Sequence, residues 1–323
     1  MNKTHWVKLT RYLDENDYNQ ISTLQKECVN ADQITLKLGL GYKLAAALES
    51  DGEKDKNDKK EINEFLYFDE QKLVGYIGIC RFGGEGIPLE LAGMVHPEYR
   101  GQGIFTVLNT LAMEECRRRN SDCILVLCDK NARDGQSYIR KLKTKYDHSE
   151  YEMYLEETYV EPRENQLYGL IFQKAMNKDA YEIARQNSIY FGEPLPDVNC
   201  FMEDKKNHNG QDRNALSDII LPEDEEKRGM TIYLVLKDNQ IIGKVDLKMK
   251  SEVGGIYGLG VLPEFRSKGY GRAILLGSIM KMKENNLKSV MLQVATENAT
   301  ALNLYQSCGF ATASTMDYYE VKF

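Results

Sequence analysis

No run of 18 apolar residues occurs in the sequence, so a membrane-spanning helix is excluded. Histidine is scarce: four residues, at 5, 96, 148 and 208, are scattered, and no metal site is expected. Seven cysteines (28, 80, 116, 123, 128, 200, 308) are an odd number, and none forms a C-x-x-C pair. That usage reads as free, mostly buried thiols in a reducing compartment. The opening Met1–Trp6 lacks the apolar core of a signal peptide, so a cytoplasmic protein is expected. Positive charge is in deficit: a net charge of −7 argues against a general nucleic-acid binder and mildly favours a cationic substrate. No Walker A loop and no G-x-G-x-x-G fingerprint is present.

What is present is a strand, a basic glycine turn and a helix. The β-branched run Ile256–Val261 ends at Pro263; Arg266, Ser267, Lys268, Gly269, Tyr270 and Gly271 follow, then an apolar helical pattern at Ile274, Leu275, Ile279 and Met282. The first N–H groups of a helix lack partners and sit at the positive end of its dipole. Gly269 and Gly271 let backbone approach a bulky anion, while Arg266 and Lys268 add charge-assisted bonds. The turn therefore suits a phosphate-rich ligand, although an ordinary strand-to-helix connection reads the same way in isolation.

An internal echo strengthens the ligand reading. Val95, His96, Pro97, Glu98, Tyr99, Arg100, Gly101, Gln102, Gly103 and Ile104 repeat the pattern 166 positions earlier, Arg100 against Arg266. Asn131 and Tyr138 stand 7 apart, as do Asn298 and Tyr305, displaced by 167. The chain reads as a duplication, with domains over 1–160 and 161–323, each long enough for its own core.

Arg-x-x-Gly-x-Gly after a strand, then a helix, a strand and a helix with Asn and a later Tyr, resembles the GNAT superfamily of N-acetyltransferases. The resemblance is strongest over residues 64–140 and 231–310. It implies an α+β fold: two tandem domains, each a mixed, mostly antiparallel sheet flanked by helices, with central parallel strands that splay after Val95 and after Val261. It implies acetyl-CoA as co-substrate, its diphosphate held by residues 266–271 after Val261 and by residues 100–104 after Val95. Asn298 and Asn131 would contact the cofactor arm, and Tyr305 and Tyr138 would protonate the leaving thiolate. Phe105 stands where the family usually has Gly or Ala, so the C-terminal copy is favoured as the cofactor site.

Glu90, on the strand feeding the first loop, is a candidate general base for the attacking amine; a solvent-facing carboxylate is the bland alternative. The matching strand of the second copy carries Ile256, leaving Tyr257, Asp246, Glu252, a water or the carboxylate of Phe323 as substitutes. Cys308 is expected to be buried and structural rather than nucleophilic.

Around these motifs, helices are expected from Asp14 to about Asn30 and from Asp32 to Leu48, and from about Gly103 to Arg119. Residues 50–61 read as a charged solvated loop, 161–166 as a linker, and 192–222 as an irregular stretch shaping the acceptor groove. The expected reaction is acetyl transfer to an amine of a small molecule or peptide by a monomer, without nucleic-acid or membrane partners. The alternative is an acyl-CoA sensor or scaffold with one or both copies inactive.

Overall fold

The computed structural model describes residues 4–50, 61–80, 88–157, 159, 167–193, 195, 220–249 and 252–323. The expected linker and all but the two end residues of the charged loop lie outside these residues, as does most of the stretch expected to shape the acceptor groove. The chain forms two compact units: one runs to Glu150 and takes in Ser314–Phe323, the other holds Tyr151–Ala313. This differs from a single cut at residue 160, because the chain passes between units inside two long strands.

In the first unit, β1 (His5–Thr10) is followed by α1 (Glu15–Asp32), α2 (Leu40–Ser50), β2 (Glu64–Asp69), β3 (Lys72–Cys80) and β4 (Leu89–Val95). Then come α3 (Ile104–Arg118), β5 (Cys123–Asp129), α4 (Arg133–Ile139) and β6 (Lys145–Leu155). Strand order is β1-β2-β3-β4-β5, and the late strand β12 (Phe310–Lys322) adds beside β5. Only β4 and β5 run parallel among β1–β5. Side chains alternate across the sheet: Phe65, Val74, Leu91 and Val126 pack with Leu108 and Ala112 of α3. Leu66, Tyr76, Ala92, Met94 and Leu127 pack on the other face with Ile21 and Leu24 of α1, joined by Met316 and Tyr318 of β12.

Helix α1 begins as expected, Asp14 accepting from the Asp17 N–H at 2.7 Å. The helix expected over 32–48 does not start at Asp32. Gln33 and Gly39 are left-handed (φ 53° and 63°), which halts the chain until Leu40. Within that break the Thr35 N–H and hydroxyl both bond Asp129 Oδ2, at 2.9 and 3.1 Å.

The second unit contains β7 (Ile171–Lys174), α5 (Ala180–Phe191), α6 (Pro222–Lys227), β8 (Met230–Lys237) and β9 (Gln240–Lys248). β10 (Val253–Val261), α7 (Tyr270–Glu284), β11 (Ser289–Ala295) and α8 (Ala299–Ser307) follow. Strand order is β11-β10-β9-β8-β7, with the β10–β11 pair parallel. Helix α7 buries Ile274, Leu275, Ile279 and Met282 against Val245, Leu247 and Ile256, while α5 covers the opposite face through Ile183.

Candidate active site

Both glycine turns fold alike. After β4 and after β10 comes one 3-10 turn, Pro97–Tyr99 and Pro263–Phe265. The arginine that follows bends back, Nε donating to a strand carbonyl: Arg100 to Val95 at 3.1 Å, Arg266 to Val261 at 2.9 Å. Gly103 and Gly269 then take left-handed φ of 81° and 85° at the N-caps of α3 and α7. Neither cap supplies a side-chain bond, so the first N–H groups of each helix are left for a ligand. Gly101 is left-handed at φ 73°; its counterpart Ser267 holds φ 61° despite its side chain.

The parallel pairs part earlier than expected. Pairing of β4 with β5 stops at Leu91–Val126, and that of β10 with β11 at Ile256–Leu292. The splay therefore begins four or five residues before Val95 and Val261. In the second copy β10 also bulges between Tyr257 and Gly260, the latter two bearing no partner on β11.

In the first unit the parted strands border a cavity of about 1060 Å³. Its wall takes in Ala92–Val95, Val126–Asp129, Arg100, Gly101, Gly103, Ile104, Asn131 and Tyr138. A methyl group added at Gly101 or Gly103 would meet nothing within 4 Å, so the approach to the α3 N-terminus is open. Arg100 is committed to a brace: Nη1 and Nη2 donate to Asp32 at 2.9 and 2.6 Å, and Nη1 reaches Asp134 at 3.2 Å. Hydrogen bonding to Asp32 raises its pKa above even the ordinary guanidinium value. Gln102 donates to the Glu98 carbonyl at 3.3 Å.

Tyr138, half-buried, meets Phe105 edge to face at 4.8 Å between centroids. Phe105 thus lies along the cavity wall rather than filling it. Burial raises the Tyr138 pKa and keeps its hydroxyl protonated. Asn131 does not cap α4, whose N-cap is Ala132; the Asn131 N–H instead bonds Asp129 Oδ1 at 2.8 Å.

The second copy is arranged differently. Asn298 caps α8, accepting from the Ala301 N–H at 3.0 Å, and burial raises the pKa of Tyr305. Gly309, at φ 89°, follows the helix, and Phe310 packs into the core. Yet the hydroxyl of Tyr168 stands 2.8 Å from where a Cβ of Gly269 would lie, with its ring edge to face on Tyr270. The Tyr190 ring lies in the same way where a Cβ of Gly260 would be. Lys268 donates to the Glu264 carbonyl at 3.0 Å, and a Cβ at Gly271 would touch only Leu304 and Val261, at 3.6 and 3.8 Å.

Of the suggested substitute bases there, Asp246 is bound to buried Lys244 at 2.8 Å and Tyr257 donates to Met291 Sδ at 3.4 Å. Glu252 pairs with Lys288 at 2.7 Å on the surface. Phe323 belongs to the first unit, beneath Arg117. Cys308 is buried, and burial raises its pKa.

Glu90 faces inward on the α1 side of the first sheet, its side chain 17 % exposed. Burial raises its pKa; Lys37 pulls it down and Glu150 pushes it up. Oε2 is buried and accepts no hydrogen bond among the described residues, with Lys37 Nζ 3.8 Å away. The sequence reading found Glu90 but missed this company. Lys37 donates to Tyr318 Oη at 2.6 Å and to Glu150 at 3.4 Å, and Tyr318 donates to Glu150 at 2.5 Å. Gly39, just before α2, was the one sequence sign that residues around Lys37 leave the helix.

A glycine turn that opens a helix N-terminus beside parted parallel strands, built twice, defines an acyltransferase fold. The chain belongs to the acetyltransferase (GNAT) family, whose model matches residues 42–142 and 198–310. The mycothiol acetyltransferase of Renibacterium salmoninarum is 32 % identical over 122 residues, 35 % of this chain and 36 % of that protein. That of Thermobispora bispora is 42 % identical over 65 residues, 20 % of this chain and 22 % of that protein. The chain thus spans about a third or less of the length of these relatives. Among solved structures, a tandem GNAT protein from the clavulanic acid biosynthesis pathway superposes with a TM-score of 0.68 at 10 % identity, covering 99 % of this chain and 98 % of that one. A GCN5-related N-acetyltransferase from Sphaerobacter thermophilus gives 0.66 at 15 % identity, covering 98 % and 95 %. At these identities the likeness is one of fold.

Proposed function

We propose that the first unit transfers acetyl from acetyl-CoA directly to a primary amine, in the cytoplasm and as a monomer. The observation that carries this reading is the open cavity of about 1060 Å³ between β4 and β5, reaching the uncapped N-terminus of α3 and Tyr138. Acetyl-CoA supplies an activated acetyl thioester. Gly101, Gly103 and the α3 N–H groups hold its diphosphate, with Arg100 bracing the loop. Val95, Gln102, Ile104 and Asn131 line or support the arm. Glu90 accepts a proton from the incoming ammonium, freeing the nitrogen lone pair. As the C–N bond forms and the C–S bond breaks, Tyr138 donates its hydroxyl proton to sulfur and regains one from the nitrogen, which loses its second proton. Orientation of the two reactants supplies much of the acceleration.

In the second copy, Val261, Arg266–Gly271, Asn298 and Tyr305 repeat the binding pattern, but Tyr168 and Tyr190 crowd Gly269 and Gly260. That observation favours the alternative role of scaffold for this copy, against the preference that Phe105 suggested in the sequence. Calorimetry with acetyl-CoA tests both assignments. One site per chain is expected, weakened at least tenfold by Gly103→Val and unaffected by Gly269→Val. The reverse pattern would move the function to the second unit, and no binding at all would refute it. A screen of primary amines with thiol detection then finds the acceptor.

A further inference from the structure

Helix α3 buries an asparagine that its own packing does not explain. Asn109 is 6 % exposed, and its Oδ1 is buried and accepts no hydrogen bond among the described residues. An orphaned amide oxygen in a helix core costs stability, because it gives up water without gaining a donor. The second copy avoids that cost. The displacement of 166 that sets Arg100 against Arg266 sets Leu108 against Ile274 and Asn109 against Leu275, and Leu275 is fully buried in the core. The fold therefore accepts leucine at this place, and the first copy keeps an amide instead.

The neighbours of Asn109 point to its use. Phe105 stands four residues earlier, so the two side chains share one face of the helix. Tyr138 packs edge to face on Phe105, with centroids 4.8 Å apart, which lays its ring against that face. There burial pushes the pKa of the Tyr138 hydroxyl up, while hydrogen bonds from Thr106 and Asn109 pull against that rise. Thr106 and Tyr138 line the cavity, and Asn109 stands behind them, off its wall. Arg133, Asp134 and Lys141 share the wall with Tyr138, and none of these charges acts on its hydroxyl. Tyr305 has different company. Gly271, Arg272 and Leu275 hold the matching places, Arg272 donates to Ser307, and burial alone acts on the Tyr305 hydroxyl among the described residues.

We propose that Asn109 is a positioning residue for Tyr138: from behind the cavity wall, together with Thr106, it fixes the phenol oxygen and supports the charge that oxygen carries once its proton has left. The inference rests on Tyr138 as the proton donor to sulfur. In that step the Tyr138 O–H bond breaks and an S–H bond forms, as the C–S bond of the thioester yields its electron pair to sulfur. The O–H electron pair stays on oxygen. The amide N–H of Asn109 and the hydroxyl of Thr106 donate to that oxygen until the proton lost by the amine nitrogen restores it. Leu275 can give Tyr305 no such support, so duplication has left one tuned tyrosine and one untuned.

The test places 3,5-difluorotyrosine at position 138 of the full chain and follows its ring by ¹⁹F NMR. Fluorination makes the phenol more acidic and brings its titration into the range where the protein stays folded. Asn109→Leu should raise the titration midpoint by about one pH unit, the scale of one hydrogen bond to a charged oxygen. Asn109→Ala and Thr106→Val should raise it too, with coenzyme A affinity matching wild type, which reports an intact fold. Met113→Ala truncates the same helix one turn further on, and its midpoint should coincide with wild type. An unmoved midpoint in Asn109→Leu and Asn109→Ala, or an equal displacement in Met113→Ala, overturns the inference. The acid role of Tyr138 fails separately, through undiminished thiol release in Tyr138→Phe.

Discussion

Replacing Lys37 by Met tests the electrostatics of Glu90 most directly. The two charges lie 3.8 Å apart. Coulomb attraction at that separation is about 1 kcal/mol in a water-like medium and about 4 kcal/mol at an effective dielectric near 20. Both side chains are about one-fifth exposed, 21 % and 17 %, so solvent screening pulls the value toward the lower figure. One pH unit corresponds to about 1.4 kcal/mol, and a displacement of about one pH unit follows. The cation favours ionised Glu90, so its loss lets Glu90 keep its proton to higher pH. Since only the ionised form accepts a proton, the acid limb of kcat/KM moves up by about one unit in Lys37→Met. Glu150→Gln removes a like charge, and the limb moves down. Initial rates of thiol release between pH 5 and 9.5, with one amine throughout, hold the amine's own ionisation constant across variants. Coincident limbs in wild type and Lys37→Met, or displacement of both variants in one direction, would refute the assignment.

Glu90→Gln is expected to lose activity at pH 7.5 by about 10²-fold or more, the usual scale for a general base, yet to gain about 1 kcal/mol of stability. Burial raises the Glu90 pKa, so its ionisation costs stability as pH climbs through the unfolded and then the folded value; melts at pH 7.5 should differ and those at pH 4 should converge. Tyr138→Phe should lower kcat about 10²-fold with acetyl-CoA affinity unchanged, and a normal kcat would remove its acid role. Ser267→Gly relieves a left-handed φ of 61°, and urea unfolding should give about 1 kcal/mol of added stability. Burial opposes ionisation of Glu115, but hydrogen bonds from Arg118, the Ile62 N–H and Arg119 prevail and hold its pKa down to about 2. Its stabilisation is therefore present above the ordinary carboxylate range and lost as pH falls toward about 2; in Glu115→Gln, acid titration of stability should flatten in that window.

The duplicated loops were legible because a turn that must expose N–H groups needs glycine at fixed places, and Gly103 and Gly269 meet that need with nearly equal φ. Helix α3, expected from about Gly103 to Arg119, runs from Ile104 to Arg118. The surroundings of Glu90 were hidden for two physical reasons. Gln33, Leu36, Lys37 and Leu38 are good helix formers, yet the left-handed Gln33 and Gly39, with Thr35 between them bonded to Asp129 far along the chain, keep Lys37 out of a helix. Tyr318 sits on a strand paired with β5, almost 200 positions distant, and no local pattern announces such a pairing. The crowding at Gly269 was equally invisible, since Tyr168 lies about 100 positions upstream of the glycine it covers.

The place of Ser314–Phe323 in the first unit has a consequence for synthesis. Met316 and Tyr318 lie in that unit's core, and residues 316–322 pair with Cys123–Asp129. The ribosome makes all of Tyr151–Ala313 before them, which at roughly 5–20 residues per second delays them by about 10–30 s. The earlier-made half waits through that interval with β5 lacking a neighbour, so the later-made half is the first able to close, and a nascent chain stalled before residue 314 would expose a bare strand edge to chaperones and proteases.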